Sequence, residues 1–227
     1  MRRGMLVLLA ALALPAAAQA GPRADYRQVF TTSAPGASTG VETQLLYKHP
    51  DDPDAKPIPV REERFTLPKG TTFDNAVVPP CHASDLEVML LEDAACPPES
   101  HIGGGEGTTM SGFPGAGEMA FTVDGWEDGT GTILLAGAKE FHLRFVTRAR
   151  RDGRVVTIPV PAEPGGPPDG QNALRRAHSL FEARSLGERA YIRTPPSCPA
   201  SGVWTFAARF TFADGAVEHD RYDMPCA

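Results

Sequence analysis

The chain has little that announces chemistry. Its six histidines fall into neither H-x-x-x-H nor H-E-x-x-H, the spacings that place two imidazoles on one helical face around zinc. No G-x-S-x-G elbow occurs. Ser111 in TMSGF is the nearest imitation, lacks the glycine two places before it and reads as a turn residue. Gly103-Gly104-Gly105 breaks the G-x-G-x-x-G order and no helical pattern follows it, which argues against a nucleotide loop. The four cysteines include no C-x-x-C and no close Cys/His pair of pairs, so a sulfur-built metal centre is unsupported. Lysine is scarce, 4 against 18 arginines, and the net charge is −6 with no basic run. That balance argues against sequence-independent nucleic-acid binding and against anionic lipid. Only two asparagines occur, beside much Ala, Gly and Pro, a bias of the kind a high-GC bacterial genome imposes. No cofactor motif and no internal repeat is present.

What is there begins with Arg2 and Arg3, an apolar run from Met5 to Ala18, and the small-residue site Ala18-Gln19-Ala20. This order of a basic start, a short apolar middle and an A-x-A end predicts a secretory signal peptide over residues 1–20. The apolar run is too short to span a bilayer, which takes about 20 residues, so no membrane insertion is expected. Cleavage leaves 207 of the 227 residues and, with Arg2 and Arg3 gone, moves the charge from −6 to −8. Residues 21–227 are expected to form a single secreted domain. Cys81, Cys96, Cys198 and Cys226 all lie in this exported part, and an even count outside the cytosol predicts two disulfides. Three pairings are open. The local one, 81–96 with 198–226, is favoured because each couple brackets one compact segment, and closing a loop of about 15 residues is worth roughly 3 kcal/mol.

The clearest element is the last one. From Trp204, alternate residues Trp204, Phe206, Ala208, Phe210 and Phe212 form an apolar face, Ala213-Asp214-Gly215 supplies a turn, and the chain returns to Pro225-Cys226. Earlier strands are expected over 25–32, 41–48, 59–67, 106–110, 118–123, 130–135, 140–147 and 155–160, with turns at Asp124-Gly125, Asp128-Gly129 and Asp152-Gly153. Leu174–Leu186 fits a helix face or a strand, and the flanking β elements favour strand. One short helix is predicted, where Ser84-Asp85-Leu86-Glu87 fits a capping box and Leu86, Met89 and Leu90 share a face. A bridge from Cys81 to Cys96 would clip that helix, which is too short to persist alone. The fold class that follows is all-β: an antiparallel sandwich, Ig-like or jelly-roll-like, with one disulfide-clipped helix.

Two stretches are candidate ligand sites. Asp124-Gly125-Trp126-Glu127-Asp128-Gly129 packs three carboxylates and an aromatic into one predicted turn. Oxygen-rich turns hold calcium, although the EF-hand's twelfth-position glutamate is missing, and an exposed Trp beside carboxylates suits a glycan. A hairpin turn with solvated acids accounts for the same letters, and burial of Trp126 would remove the sugar reading's support. His82 and His101 are the second candidate, because the 81–96 bridge would draw their segments together near Asp85 and Glu87.

Two long segments carry a resemblance. Leu67–Gly70, Phe73, Pro79–Cys81, Cys96-Pro97, Ser100, Ile102-Gly103 and Gly105 make the first; Thr194–Pro196, Cys198-Pro199, Ser201-Gly202, Trp204, Asp214-Gly215 and Pro225-Cys226 make the second. In these the chain resembles a group of secreted proteins of high-GC Gram-positive bacteria. The resemblance covers about half of the exported chain and implies an exported, disulfide-bearing β protein. The group has no assigned activity, so no catalytic or binding residue transfers from it. The leading expectation is a non-catalytic extracellular or cell-surface binding module with a glycan or protein partner. The alternative is a secreted hydrolase whose site is assembled from distant loops.

Overall fold

The computed structural model describes residues 21–138 and 143–227. The expected leader, and the start of the strand expected from residue 140, lie outside these residues. The chain folds into strands β1 (Ala24–Phe30), β2 (Val41–Tyr47), β3 (Val60–Thr66) and β4 (Thr72–Phe73), then helix α1 (Asp85–Leu91). Strands β5 (His101–Met110), β6 (Glu118–Glu127), β7 (Gly131–Ala138), β8 (Leu143–Asp152), β9 (Val155–Pro159) and β10 (Ala173–Phe181) follow. Three two-residue strands, β11 (Ser185–Leu186), β12 (Arg189–Ala190) and β13 (Ile192–Arg193), precede the long final hairpin of β14 (Val203–Phe212) and β15 (Val217–Pro225). Leu174–Leu186 is therefore strand over its first part.

Eleven strands form one antiparallel sheet in the order β1-β2-β10-β5-β6-β7-β8-β9-β3-β14-β15. The sheet curls into a nearly closed, jelly-roll-like barrel, so the two layers expected of a sandwich are opposite walls of one continuous sheet. The seam lies between β1 and β15. Side chains cross it: the Arg23 amide donates to the Glu218 carboxylate (3.0 Å), Arg27 Nε to the Tyr222 hydroxyl (3.3 Å) and the Phe30 amide to the Met224 sulfur (3.3 Å).

Strand alternation sorts residues to two faces. Tyr26 and Phe30 of β1, Tyr47 of β2, Phe65 of β3 and the aromatic row of β14 meet inside the barrel. Their rings pack edge to face, as Phe30 does with Phe206 (centroids 4.8 Å) and Tyr47 with Phe210 (5.6 Å). The alternation read from Trp204 onward thus supplies five of the eighteen buried residues of this core. Cys198–Cys226 closes the open end of that hairpin, with Cα atoms 5.7 Å apart.

A second, smaller core lies outside the barrel. Cys81–Cys96 (Cα atoms 5.1 Å apart) ties α1 down over the outward residues Trp126, Ile133 and Leu135 of β6 and β7. The capping box forms as expected: Ser84 Oγ accepts from the Glu87 amide (3.3 Å) and Glu87 accepts from the Ser84 amide (2.8 Å). The buried face of the helix is the expected one only in part. Met89 packs against the small core and Val88 is fully buried, whereas Leu86 and Leu90 are 60% and 68% exposed. The two tethered ends and the Arg148–Asp85 ion pair (2.7 Å) set the rotation of α1, and they override the leucine spacing.

Asp124-Gly125 is a second correction. It lies within β6, paired with Gly104 and Gly103 of β5, and the turn is confined to the residues after Glu127. Gly125 serves a flat strand there: a Cβ would stand 2.9 Å from the Phe181 ring that crosses it.

Candidate functional site

The aromatic side chains fill only one half of the barrel. Across from them many inward positions are small: Gly105 on β5, Ala177 and Ser179 on β10, Thr132 and Ala136 on β7, Thr147 and Ala149 on β8. Gly107 shares this face, and its missing side chain is where the Phe121 ring lies; a Cβ there would approach Phe121 Cζ to 2.5 Å. An internal cavity of ≈ 230 Å³ results, walled also by Leu134, Phe145, Val156 and Ile158. It has the character of a small-molecule site, apolar walls with few polar groups.

Those polar groups are specific. Tyr26 donates its hydroxyl to Gln28 Oε1 (2.9 Å), and Gln28 Nε2 donates to Thr43 Oγ1 (2.9 Å), a rung that satisfies itself inside the apolar wall. On the next strand along, Glu63 points inward with Phe65 and is 6% exposed. Tyr47 donates a hydrogen bond to its Oε1 (2.7 Å). Burial pushes the Glu63 carboxyl up to about 7, against the smaller opposing effect of the Tyr47 bond. The Tyr47 hydroxyl is raised in turn by its own burial and by the carboxylate beside it.

The two poles differ. At one, Phe73, Tyr191 and Ile192 close the barrel, and Tyr191 donates to buried Glu127 while Arg151 reaches Glu127 (3.3 Å) and Tyr191 (2.8 Å). Both disulfides sit at this pole. At the other, the cavity reaches half-buried Glu163 and exposed Pro161. Asn172 Nδ2 donates to Thr109 Oγ1 (3.0 Å) beside Glu163, whose carboxyl is raised by burial. Lys56 Nζ holds the surrounding loops together by pairing with Asp169 (2.5 Å) and bonding the Gly166 carbonyl (3.2 Å). This pole is the mouth.

The expected site residues are dispersed. Trp126 is 1% exposed, the floor of the small core under α1, and so offers no stacking face. Alternation along β6 sends its acids apart: Asp124 outward to His101 Nε2 (3.3 Å), Glu127 inward to Tyr191 and Arg151. Asp128 is a turn residue. Its Oδ1 accepts from the amides of Thr130 (2.8 Å) and Gly131 (2.7 Å), and Arg148 approaches Oδ2 (3.4 Å). Burial raises the Asp128 carboxyl, but these bonds more than offset it and the net shift is downward. His82 is exposed beside the helix cap, and His101 packs edge-on against Trp126 (5.6 Å). Among the described residues no group of three His, Cys, Asp or Glu is placed to hold a metal ion.

Sequence reasoning missed Glu63 and Gln28, the cavity they border, and the Tyr47 hydroxyl that holds Glu63. A signal for Glu63 was present: in PVREERFTL it shares parity with Phe65 and Leu67, which puts it on the apolar face. Among the described residues, no helix is long and apolar enough to cross a membrane. Compared with known proteins, the chain matches no family model and no curated protein sequence.

Proposed function

We propose that this chain is an exported, non-catalytic binding protein that holds a small apolar molecule inside its barrel. The observation that carries this reading is the ≈ 230 Å³ cavity in the half of the barrel where small inward residues alternate with larger apolar ones. An engineered apolar cavity of about 150 Å³ takes up benzene, so this volume suits an occupant of roughly a dozen non-hydrogen atoms. Export is supported by the leader-like N-terminus and by two formed disulfides in the described chain. The resemblance of the Cys-Pro and Trp motifs to secreted proteins of high-GC Gram-positive bacteria fits the same reading. Geometry favours binding over hydrolysis. Among the described residues the histidine–carboxylate contacts are His101–Asp124 and His178–Glu42, and strand alternation turns both pairs of side chains outward, although His178 belongs to a strand that borders the cavity.

The test is NMR titration of the purified chain with naphthalene and 4-phenylbutanol. Shifts confined to Phe121, Leu134 and Ile158 are expected. Ala136→Phe, which places a ring in the cavity, should abolish them and raise the melting temperature, because filling a void restores lost packing. Shifts that are absent, or that survive in Ala136→Phe, refute interior binding.

A further inference from the structure

We infer that Glu63 anchors a cationic ligand, so that the occupant of the barrel is a hydrophobic amine whose ammonium pairs with this carboxylate. The inference rests on the cavity reading above and deepens it. Three observations carry it. First, Glu63 borders the cavity and is bonded through one oxygen only: Tyr47 donates to Oε1, and among the described residues nothing donates to Oε2. A buried carboxylate with half of its acceptors unused is costly unless a cation or donor completes it.

Second, its protein surroundings supply no such cation. Phe65 and Phe210 flank it on β3 and β14, Ile158 faces it from β9, and Tyr47 is the titratable group against it. The one guanidinium bordering the cavity, Arg151, is committed at the closed pole to Glu127, Tyr191 and Asn75. Third, the ionisable group that lines the cavity at the mouth is also acidic. Glu163 stands there half-buried beside Asn172 (3.5 Å), and the rim cation Lys56 is already paired with Asp169, so an entering ammonium meets a carboxyl group. The aromatic walls Phe121 and Phe145 suit a hydrocarbon body, and Phe65 beside Glu63 offers a ring to the ammonium. Burial holds the Glu63 carboxyl near 7, so a slightly alkaline buffer presents it ionised and a bound ammonium would draw it down.

Three probes of nearly equal size separate the possibilities: 4-phenylbutylamine, 4-phenylbutanol and 4-phenylbutyrate, titrated calorimetrically at about pH 8. The amine should bind about tenfold or more tightly than the alcohol, with the butyrate weakest. In Glu63→Gln the amine and alcohol should become equal, the alcohol keeping its affinity within about twofold. Ala136→Phe should remove the amine binding, which separates interior binding from attraction to an acidic surface. Equal binding of amine and alcohol by the wild type overturns the anchor and leaves the cavity reading intact. An amine preference that persists in Glu63→Gln or in Ala136→Phe also overturns the anchor. Failure of all three probes removes both. The wild-type ranking decides by itself if Glu63→Gln does not fold.

Discussion

A carboxyl with its pKa raised from 4.5 to about 7 by burial is a term in stability as well as in recognition. The folded state holds the Glu63 proton more tightly than the unfolded chain does, so this group's contribution to stability is fully present below about pH 4.5 and is lost as pH rises to about 7. Taken over that window the loss is about 3 kcal/mol, an order-of-magnitude figure. Glu63→Gln should therefore match the wild type near pH 4.5 and exceed it at pH 8 in denaturant unfolding. A gap that does not grow with pH would show that the acid is not buried in solution. Glu63 illustrates why the interior was hard to read in advance. Its parity with Phe65 was visible, but RFTL preceded by three charges in REE reads as a weak alternation, and only the pairing of β3 with both β9 and β14 settles which side is inside. Trp126 shows the reverse: its neighbours are charged, and a helix 40 residues earlier in the chain covers it.

At the level of elements, local signals were the legible ones. The Asp214-Gly215 hairpin, the capping box at Ser84 and the short-range cysteine pairs all form where short-range chemistry predicts. Asp124-Gly125 misled because the same dipeptide that favours a turn also serves a strand crossed by an aromatic ring. The rotation of α1 misled because leucine spacing reports a face, and the tether chooses which face turns inward. Two substitutions separate these influences. Val88→Ala should cost about 2 kcal/mol, whereas Leu90→Ala should stay within about 0.5 kcal/mol of the wild type. Reducing Cys81–Cys96, worth about 3 kcal/mol by loop closure, should speed amide exchange in α1 and over Trp126 before it affects the final hairpin.

For the whole molecule, closure was not written locally. The barrel depends on β10 lying between β2 and β5, and on β3 lying between β9 and β14, pairings across long stretches of chain that hairpin signals do not report. The same long-range order leaves a seam between β1 and β15 that is bridged mainly by side chains rather than by a strand ladder. Arg23→Ala removes the Arg23–Asp214 pair (2.6 Å) and the guanidinium over Phe212, and should lower the melting temperature by a few degrees. Full retention of the melting temperature would mean that the aromatic core holds the seam unaided.

Covalent reinforcement is gathered at one pole, and the rim opposite relies on the ammonium of Lys56. In the proposed binding role, guest exchange would be uncoupled from overall unfolding, because the stapled base keeps the strands in register when the rim opens. Lys56→Ala should hasten release of a bound amine several-fold at nearly unchanged affinity for the interior, since its hydrogen bonds are with Asp169 and the Gly166, Pro167 and Gln171 carbonyls, none of which lines the cavity. Residence time in this protein would then be tuned by a single cation at the rim, and affinity by a single acid at depth.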